Sequence, residues 1–161
     1  MDIRIGVGYD IHKLIRNKTF ILGNVIIPYK KGFLAHSDGD VLIHSIIDSI
    51  LGALNLGDIG RLFPDTDKAY KEINSKILLE KIMCLLIEKE YEIINIDNNI
   101  ICQKPKLADY IPEMKKKLSE IMKISEDKIS IKAKTKEKLD AIGKCRGVEV
   151  HSVCLLKKVN H

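Results

Sequence analysis

The sequence predicts an α+β fold, a two-layer sandwich in which one mixed β-sheet is covered by about three helices. Segments that alternate as strands do interleave with segments of helical periodicity, and the connections between them are short. The sheet is expected to hold about four main strands plus a small hairpin. The chain has 161 residues, 45% of them hydrophobic, which is enough for one core, and no repeat or linker divides it. We therefore expect a single domain over residues 1–161.

The first half of the chain is predicted to contain a strand, a hairpin and a long helix. Residues 2–9 alternate apolar and small residues, as strands do. The segments 20–22 and 25–27 flank Gly23-Asn24, a pair that tolerates the positive φ of a hairpin turn. The helix covers about Asp40 to Leu54, because apolar residues recur there with a helical period.

The second half of the chain is predicted to alternate between helices and strands. One helix begins near Asn74 or Ser75, either of which suits the N-cap position. Another covers about residues 112–122, because a proline at position 112 suits a first helical turn. Strands are expected over residues 92–103, 128–134 and 147–157.

Composition argues against several classes of partner. The net charge is +5, but the lysines are scattered and no aromatic residues interleave with them, so we expect no nucleic-acid surface. A solvated surface explains this charge, and a weak attraction for anionic substrates fits it equally well. No apolar run is long enough to span a membrane. The four cysteines are far apart and form no C-x-x-C pair, which predicts free buried thiols rather than a zinc finger or a disulfide framework.

A metal site is predicted from three polar residues on two elements. Asp10 and His12 are two residues apart in an extended segment, so their side chains point to the same side. His44 lies on the predicted long helix and would complete a His₂Asp set, which with one open position is typical of catalytic zinc. Asp40 lies one turn before His44 and is expected to orient its imidazole. The alternatives are a hydrogen-bonded structural histidine and an Asp–His pair that only stabilises the helix.

A phosphate site is predicted just before the same helix. A helix that begins near residue 39 or 40 offers unpaired N–H groups and the positive end of its dipole to an anion. His36 and Ser37 precede that point and would add hydrogen bonds. An ordinary Ser/Asp cap is the alternative.

Several blocks of sequence resemble the 2-C-methyl-D-erythritol 2,4-cyclodiphosphate synthase family. They occur in one order at spacings similar to those of the family, and the resemblance covers practically the whole chain. The blocks are RIGVGYDIH (residues 4–12), AHSDGD (35–40), LGDIG (56–60), FPDTD (63–67), PKL (105–107) and TKEKL (135–139).

The resemblance implies a lyase of the non-mevalonate isoprenoid pathway. Its substrate would be 4-diphosphocytidyl-2-C-methyl-D-erythritol 2-phosphate, whose 2-phosphate attacks the β-phosphorus, closes a cyclodiphosphate ring and releases CMP. The enzyme would be a homotrimer with active sites between subunits. It would work in a plastid (apicoplast-type) stroma if it is the mature form of a eukaryotic protein, since no signal or transit peptide is visible. The alternative is a bacterial cytoplasm.

The resemblance also implies roles for individual residues. Asp10, His12 and His44 would bind Zn²⁺, and Glu137 would bind a second ion, Mg²⁺ or Mn²⁺. His36 and Thr135 would stabilise the transition state. The residues expected to contact the substrate are Asp10, His12, His36, Ser37, Asp48, Asp58, Ile59, Gly60, Phe63, Asp65, Asp67, Cys102, Pro105, Lys106, Leu107, Ala108, Ala133, Lys134, Thr135, Glu137 and Lys144.

The chain departs from the family pattern at several positions outside the predicted metal ligands. Lys134 and Lys136 replace small or hydroxyl residues, and Lys144 replaces a frequent arginine. Two other functions are compatible with a His₂Asp site. One is a metal-dependent phosphohydrolase, and the other is a non-catalytic trimer that binds isoprenoid diphosphates around a structural zinc.

Overall fold

A five-stranded sheet forms one layer of the protein. The computed structural model describes residues 2–64, 66–67, 70 and 72–159. The strands run in the order β4-β1-β7-β5-β6, and all neighbours are antiparallel except the parallel pair β5 and β6. A two-stranded hairpin forms a separate small sheet. The strands are β1 (Ile3–Arg16), β2 (Ile21–Leu22), β3 (Val25–Ile26), β4 (Lys31–Leu34), β5 (Tyr91–Ile101), β6 (Ile129–Lys134) and β7 (Gly147–Lys158).

Helices form the second layer and cover one face of the main sheet. The longest three are the ones predicted, and their first residues lie at or within one residue of the expected positions. The helix that follows β4 packs on β1 and β7, while the next two long helices pack on β5 and on β6. The helices are α1 (Val41–Ala53), α2 (Ile59–Leu62), α3 (Ser75–Glu88), α4 (Ile111–Met122) and α5 (Asp140–Gly143). The α+β sandwich with a mixed sheet is therefore confirmed.

Two glycines on β1 let α1 lie directly on the backbone of the sheet. A Cβ atom at Gly6 would lie 1.8 Å from the Ser49 carbonyl oxygen, and one at Gly8 would lie 1.9 Å from the Ser45 carbonyl oxygen. The helix therefore runs antiparallel to β1, with position 49 over position 6 and position 45 over position 8. Since Asp10 follows on the same face of the strand, this packing brings it to His44.

The structure corrects the predicted elements at two places. β1 continues to Arg16 rather than ending at residue 9, because residues Lys13–Arg16 pair with an edge strand that was not predicted. That strand, β4, was missed because its four residues show no clear alternation. The segment between β6 and β7, for which no element was predicted, contains the short helix α5. Cys84 is exposed rather than buried, although all four cysteines are free as expected.

The sheet face opposite the helices carries an exposed apolar stripe. It consists of Ile3, Ile5, Val7, Tyr9 and Ile11 on β1, of which Ile5 and Val7 are more than 60% exposed. An exposed apolar patch of this kind is typical of a protein–protein contact surface. Among the described residues, no helix is both long and apolar enough to cross a membrane.

Candidate active site

Asp10, His12 and His44 converge at the end of the contact between β1 and α1. Asp10 Oδ2 lies 3.1 Å from His44 Nδ1 and 3.3 Å from His12 Nδ1. One ligand atom from each residue lies within 4.8 Å of the others. No other group of three or more such side chains within the described ranges meets this criterion. The predicted triad is thus brought together by the fold.

The geometry of the triad fits a small divalent cation. Zinc bound tetrahedrally at about 2.0–2.1 Å places neighbouring ligand atoms about 3.3 Å apart, close to the two distances from Asp10. His12 Nδ1 is buried and has no hydrogen-bond partner among the described atoms. A buried nitrogen with no partner is costly, and a shared cation would satisfy it. The residues present therefore fit a metal ion.

Burial and mutual proximity shift the pKa values of two members of the triad in opposite directions. Burial opposes ionisation of Asp10, but the interaction of its carboxylate with the nearby imidazoles of His12 and His44 outweighs burial and holds the pKa of Asp10 well below the usual range. Burial also disfavours a charged His12, yet the Asp10 carboxylate raises the pKa of that imidazole above 6.5. The site thus stabilises a negative charge on the Asp10 carboxylate and a positive charge on the neighbouring His12 imidazole.

The other ring nitrogen of His44 is held by serines rather than by Asp40. His44 Nε2 lies 2.8 Å from Ser75 Oγ and 3.2 Å from Ser37 Oγ. Ser75 Oγ in turn donates a hydrogen bond to Asp38 Oδ1. The prediction that Asp40 orients the imidazole is wrong, because the Asp40 side chain points away into the core.

Asp40 instead caps α1 and ties the β2–β3 hairpin to it. Its fully buried carboxylate accepts hydrogen bonds from the backbone N–H groups of Gly23, Asn24 and Ile43 at 2.7–3.1 Å. Burial raises the pKa of this group. Asp40 is therefore the N-cap of α1, as the capping alternative expects, and the phosphate site formed by His36 and Ser37 at that helix end stays a prediction.

A cavity of about 470 Å³ lies beside the triad. Most of the residues predicted to contact the substrate in the first half of the chain lie around it. The carboxylates of Asp48 and Asp58 fix the backbone of residues 59–61 at the edge of the cavity. Asp48 Oδ1 accepts from Ile59 N at 2.8 Å, and Asp58 Oδ1 accepts from Arg61 N at 3.0 Å. The predicted residues that line the cavity are Asp10, His12, His36, Ser37, His44, Ile59, Gly60 and Phe63.

The predicted residues of the second half line a separate, smaller pocket of about 170 Å³. Thr135 lies at its edge and donates a hydrogen bond of 2.5 Å to Glu137 Oε1. Burial raises the pKa of the Cys102 thiol to about 12, so this pocket contains a neutral thiol rather than a thiolate. The predicted residues that line it are Cys102, Pro105, Lys106, Leu107, Ala108, Ala133, Lys134 and Thr135.

The two pockets lie at the same end of the sheet but are separated within one chain. Asp10 pairs with Val150, Val150 with Ile100 and Ile100 with Ala133, so one row across the sheet joins them. Three strand spacings correspond to about 14 Å. Among the residues that the structure describes, none lines both pockets. A single chain therefore does not bring His36 to Thr135.

Several of the described residues that were predicted to contact the substrate, among them Lys144 and Asp67, line neither pocket. Lys144 follows α5 and is exposed, and Asp67 is exposed in the loop before α3. Asp65 lies outside the described residues. Sequence reasoning, in turn, did not assign a functional role to Ser75, which contacts His44. Its only sequence signal was its place at the start of a helix, which indicates a cap and not a site.

Comparisons with known proteins agree on one family. The YgbB family model matches residues 3–157. A protein from Finegoldia magna named 2-C-methyl-D-erythritol 2,4-cyclodiphosphate synthase is 53% identical over 97% of this chain and 98% of its own length. The structure of IspF from Plasmodium falciparum in complex with CDP is similar at a TM-score of 0.87 and 44% identity, over 98% of this chain and 97% of that chain. The structure of the bifunctional IspDF from Campylobacter jejuni is similar at a TM-score of 0.95 and 42% identity. This match covers 99% of this chain but only 43% of that protein.

Proposed function

This chain belongs to the YgbB family, the 2-C-methyl-D-erythritol 2,4-cyclodiphosphate synthases, and we propose that it catalyses the cyclisation for which that family is named. It converts 4-diphosphocytidyl-2-C-methyl-D-erythritol 2-phosphate into 2-C-methyl-D-erythritol 2,4-cyclodiphosphate and CMP, a step of the non-mevalonate isoprenoid pathway. The observation that carries the proposal is the convergence of Asp10, His12 and His44 beside a cavity large enough for part of such a substrate.

The chemistry asks the protein for positioning and charge neutralisation. The attacking phosphate is already ionised at neutral pH, so no strong general base is needed, and the main barrier is the approach of two anions. Asp10, His12 and His44 would hold Zn²⁺, which would supply positive charge and a template for the phosphate oxygens. Ser37 Oγ accepts the N–H of Gly39 at 3.2 Å, which leaves its own proton for a substrate oxygen.

The second pocket takes the nucleotide end of the substrate. Its walls come from residues 102–108 and 133–135, and the neighbouring Lys106 and Lys134 side chains carry positive charge towards a diphosphate. Glu137 is exposed next to Thr135 and offers one carboxylate to Mg²⁺ or Mn²⁺. Mg²⁺ is commonly bound through one or two protein carboxylates together with substrate phosphates. Thr135 and His36 would then stabilise the transition state at phosphorus.

Assembly as a homotrimer accounts for the separation of the two pockets. One chain places His36 and Thr135 in different pockets at the same end of the sheet, so a complete site needs the second pocket of a neighbouring subunit. The exposed apolar stripe on β1 supplies a surface for that contact, and burying Ile5 and Val7 would contribute about 1.5–3 kcal/mol for each side chain. The partners of the chain are thus two further copies and the nucleotide-linked substrate. Its location in a plastid stroma or in a bacterial cytoplasm stays a prediction.

The cyclisation is tested directly by product analysis in ¹⁸O-labelled water. Purified protein with Zn²⁺ and Mg²⁺ is expected to release CMP and a cyclic product that contains no solvent oxygen. A linear phosphorylated product carrying ¹⁸O would instead indicate the phosphohydrolase. His44→Ala is the control: an inactive but folded trimer supports catalysis, whereas a trimer that unfolds without its metal supports the binding-protein alternative.

A further inference from the structure

The far side of His44, away from the metal position, is bonded to a short chain of two further residues. Nε2 contacts Ser75 Oγ at 2.8 Å, and Ser75 is fully buried at the first position of α3. Ser75 Oγ also donates to Asp38, a residue of the turn before α1. Asp38 does not belong to the converging group, and Ser75 Oγ contacts the Nε2 side of the ring, whereas Nδ1 faces Asp10.

Counting hydrogens at Ser75 decides the direction of these bonds. Asp38 accepts the backbone N–H of Ser75 on Oδ2 at 2.9 Å and that of Asp40 on Oδ1 at 3.1 Å, so its carboxylate acts as an acceptor on both oxygens. A hydroxyl has one proton, and here it is directed to the carboxylate. Ser75 Oγ is then left only with lone pairs towards His44, so the hydrogen between them belongs to Nε2.

We propose that Asp38 and Ser75 are positioning residues that keep the proton of His44 on Nε2 and its Nδ1 lone pair directed at the metal position. A neutral imidazole has one donor and one acceptor nitrogen, and the metal takes the acceptor. A bond to the other nitrogen also fixes the ring plane and increases its basicity. This proposal rests on the metal-dependent function proposed above and names the residues that make the histidine competent for it.

The two serines near Nε2 allow a matched comparison. Ser37 Oγ lies 3.2 Å from the same nitrogen but accepts from the N–H of Gly39 and has no carboxylate behind it. Removing Ser37 therefore takes away one hydroxyl near His44 and leaves the proposed pair intact. Ser49 is a second control for loss of a buried hydroxyl, since its hydroxyl donates within α1, to the Ile46 carbonyl oxygen at 2.7 Å.

Zinc affinity, measured by competition with a chromophoric chelator, tests the proposal independently of turnover. Ser75→Ala and Asp38→Asn are expected to weaken zinc binding about 10- to 100-fold, with Ser37→Ala and Ser49→Ala remaining within about threefold of the parent. In the zinc-loaded parent, ¹⁵N chemical shifts should report His44 protonated on Nε2 and bound through Nδ1. Thermal unfolding of each metal-free variant checks that the variant is folded. If Ser75→Ala does not fold, the zinc affinity of Asp38→Asn tests the proposal.

The outcomes separate this proposal from the proposed function. Unchanged zinc affinity in Ser75→Ala and Asp38→Asn, an equal loss in Ser37→Ala, a ring bound through Nε2, or a parent that binds no zinc would each overturn the positioning role. A parent that binds zinc with the expected variant pattern but yields no cyclic product would leave the positioning role standing and contradict the cyclase.

Discussion

Gly8 and Ser45 approach so closely that a Cβ atom at Gly8 would lie 1.9 Å from the Ser45 carbonyl oxygen. This contact sets the height of α1 above β1, and His44 is the residue next to Ser45. The distance between the strand ligands and the helix ligand therefore depends on the absence of a side chain at Gly8.

Gly8→Ala is expected to destabilise the protein and weaken metal binding together. The added methyl group meets backbone atoms that cannot rotate away, so we expect a loss of about 3 kcal/mol or more in the free energy of unfolding, at the upper end for overpacking. Urea unfolding and zinc competition measure the two effects. Gly52→Ala is the matched control, because an added Cβ atom would lie 3.7 Å from its nearest heavy atom, the Val7 carbonyl oxygen. Ala in place of an exposed helical Gly should add about 0.5–1 kcal/mol to the free energy of unfolding. Similar effects of both substitutions would contradict the close-packing argument.

Zinc affinity is expected to fall as the pH decreases through a value above 6.5. The Asp10 carboxylate raises the pKa of His12 despite its burial, so in the metal-free site a proton competes for this imidazole at a higher pH than usual. In the metal-free protein, the free energy of unfolding depends on pH in the opposite direction. The raised pKa of His12 adds stability below pH 6.5, and this contribution is lost as the pH rises through the raised pKa. Chelator competition and thermal unfolding between about pH 5.5 and 8.5 measure both. A zinc affinity that is flat over this range would contradict the prediction.

Asp48→Asn is expected to stabilise the fold at neutral pH. Burial raises the pKa of Asp48 above 3.8 even though Ile59 N donates to it. The ionised carboxylate therefore costs stability at pH 7, and this cost disappears as the pH falls below 3.8. An asparagine oxygen still accepts the Ile59 N–H without the charge. We expect a midpoint a few degrees higher at pH 7.5, with the difference shrinking near pH 4; a lower midpoint at pH 7.5 would show that the charge is needed for stability.

Gln103→Met is expected to loosen the loop that carries Thr135 and Glu137. Gln103 Oε1 accepts the backbone N–H groups of Lys136 and Lys138 at 3.3 and 3.1 Å, while Glu137 and Lys138 are held at positive φ. Loss of this acceptor should lower the free energy of unfolding by about 1–2 kcal/mol and lower kcat. The reason is that no side-chain hydrogen bond then holds Glu137 and Lys138 at positive φ. Gln103→Glu keeps an acceptor at the same place and is expected to remain close to the parent in both unfolding and turnover. Equal effects of Met and Glu would indicate that the side-chain oxygen is not what holds the loop.

Val7→Lys is expected to abolish assembly and activity without unfolding the chain. Val7 is 67% exposed in the single chain but central in the apolar stripe on β1, so a charge there would have to be desolvated on assembly. Native mass spectrometry should show a threefold mass for the parent and a single-chain mass for the variant. Ile87→Lys on α3 provides a matched control, since Ile87 is 69% exposed and lies outside the stripe. A trimer that persists in Val7→Lys would place the contact surface elsewhere.

The order and type of the long elements followed from local pattern alone. Helical periodicity predicted α1 to within a residue at each end, and Asn74 is the N-cap of α3 as expected. The pairing of Asp10 with His12 was also local, since residues two apart on a strand share a face. What local pattern missed was β4, because an edge strand of four residues acquires its conformation from pairing with the end of β1.

Local pattern was enough to pick out residue types that can act as ligands, whereas the packing of distant segments sets which of these residues meet. A strand and a helix could be assigned from their periods, and the D-x-H triplet and His44 were visible as ligand types. The roles of Asp40 as a buried cap, of Ser75 as the partner of His44, and the division of the substrate residues between two pockets depend on contacts between distant segments. Such contacts are set by how α1, α3 and the sheet pack, and no period along the chain encodes them.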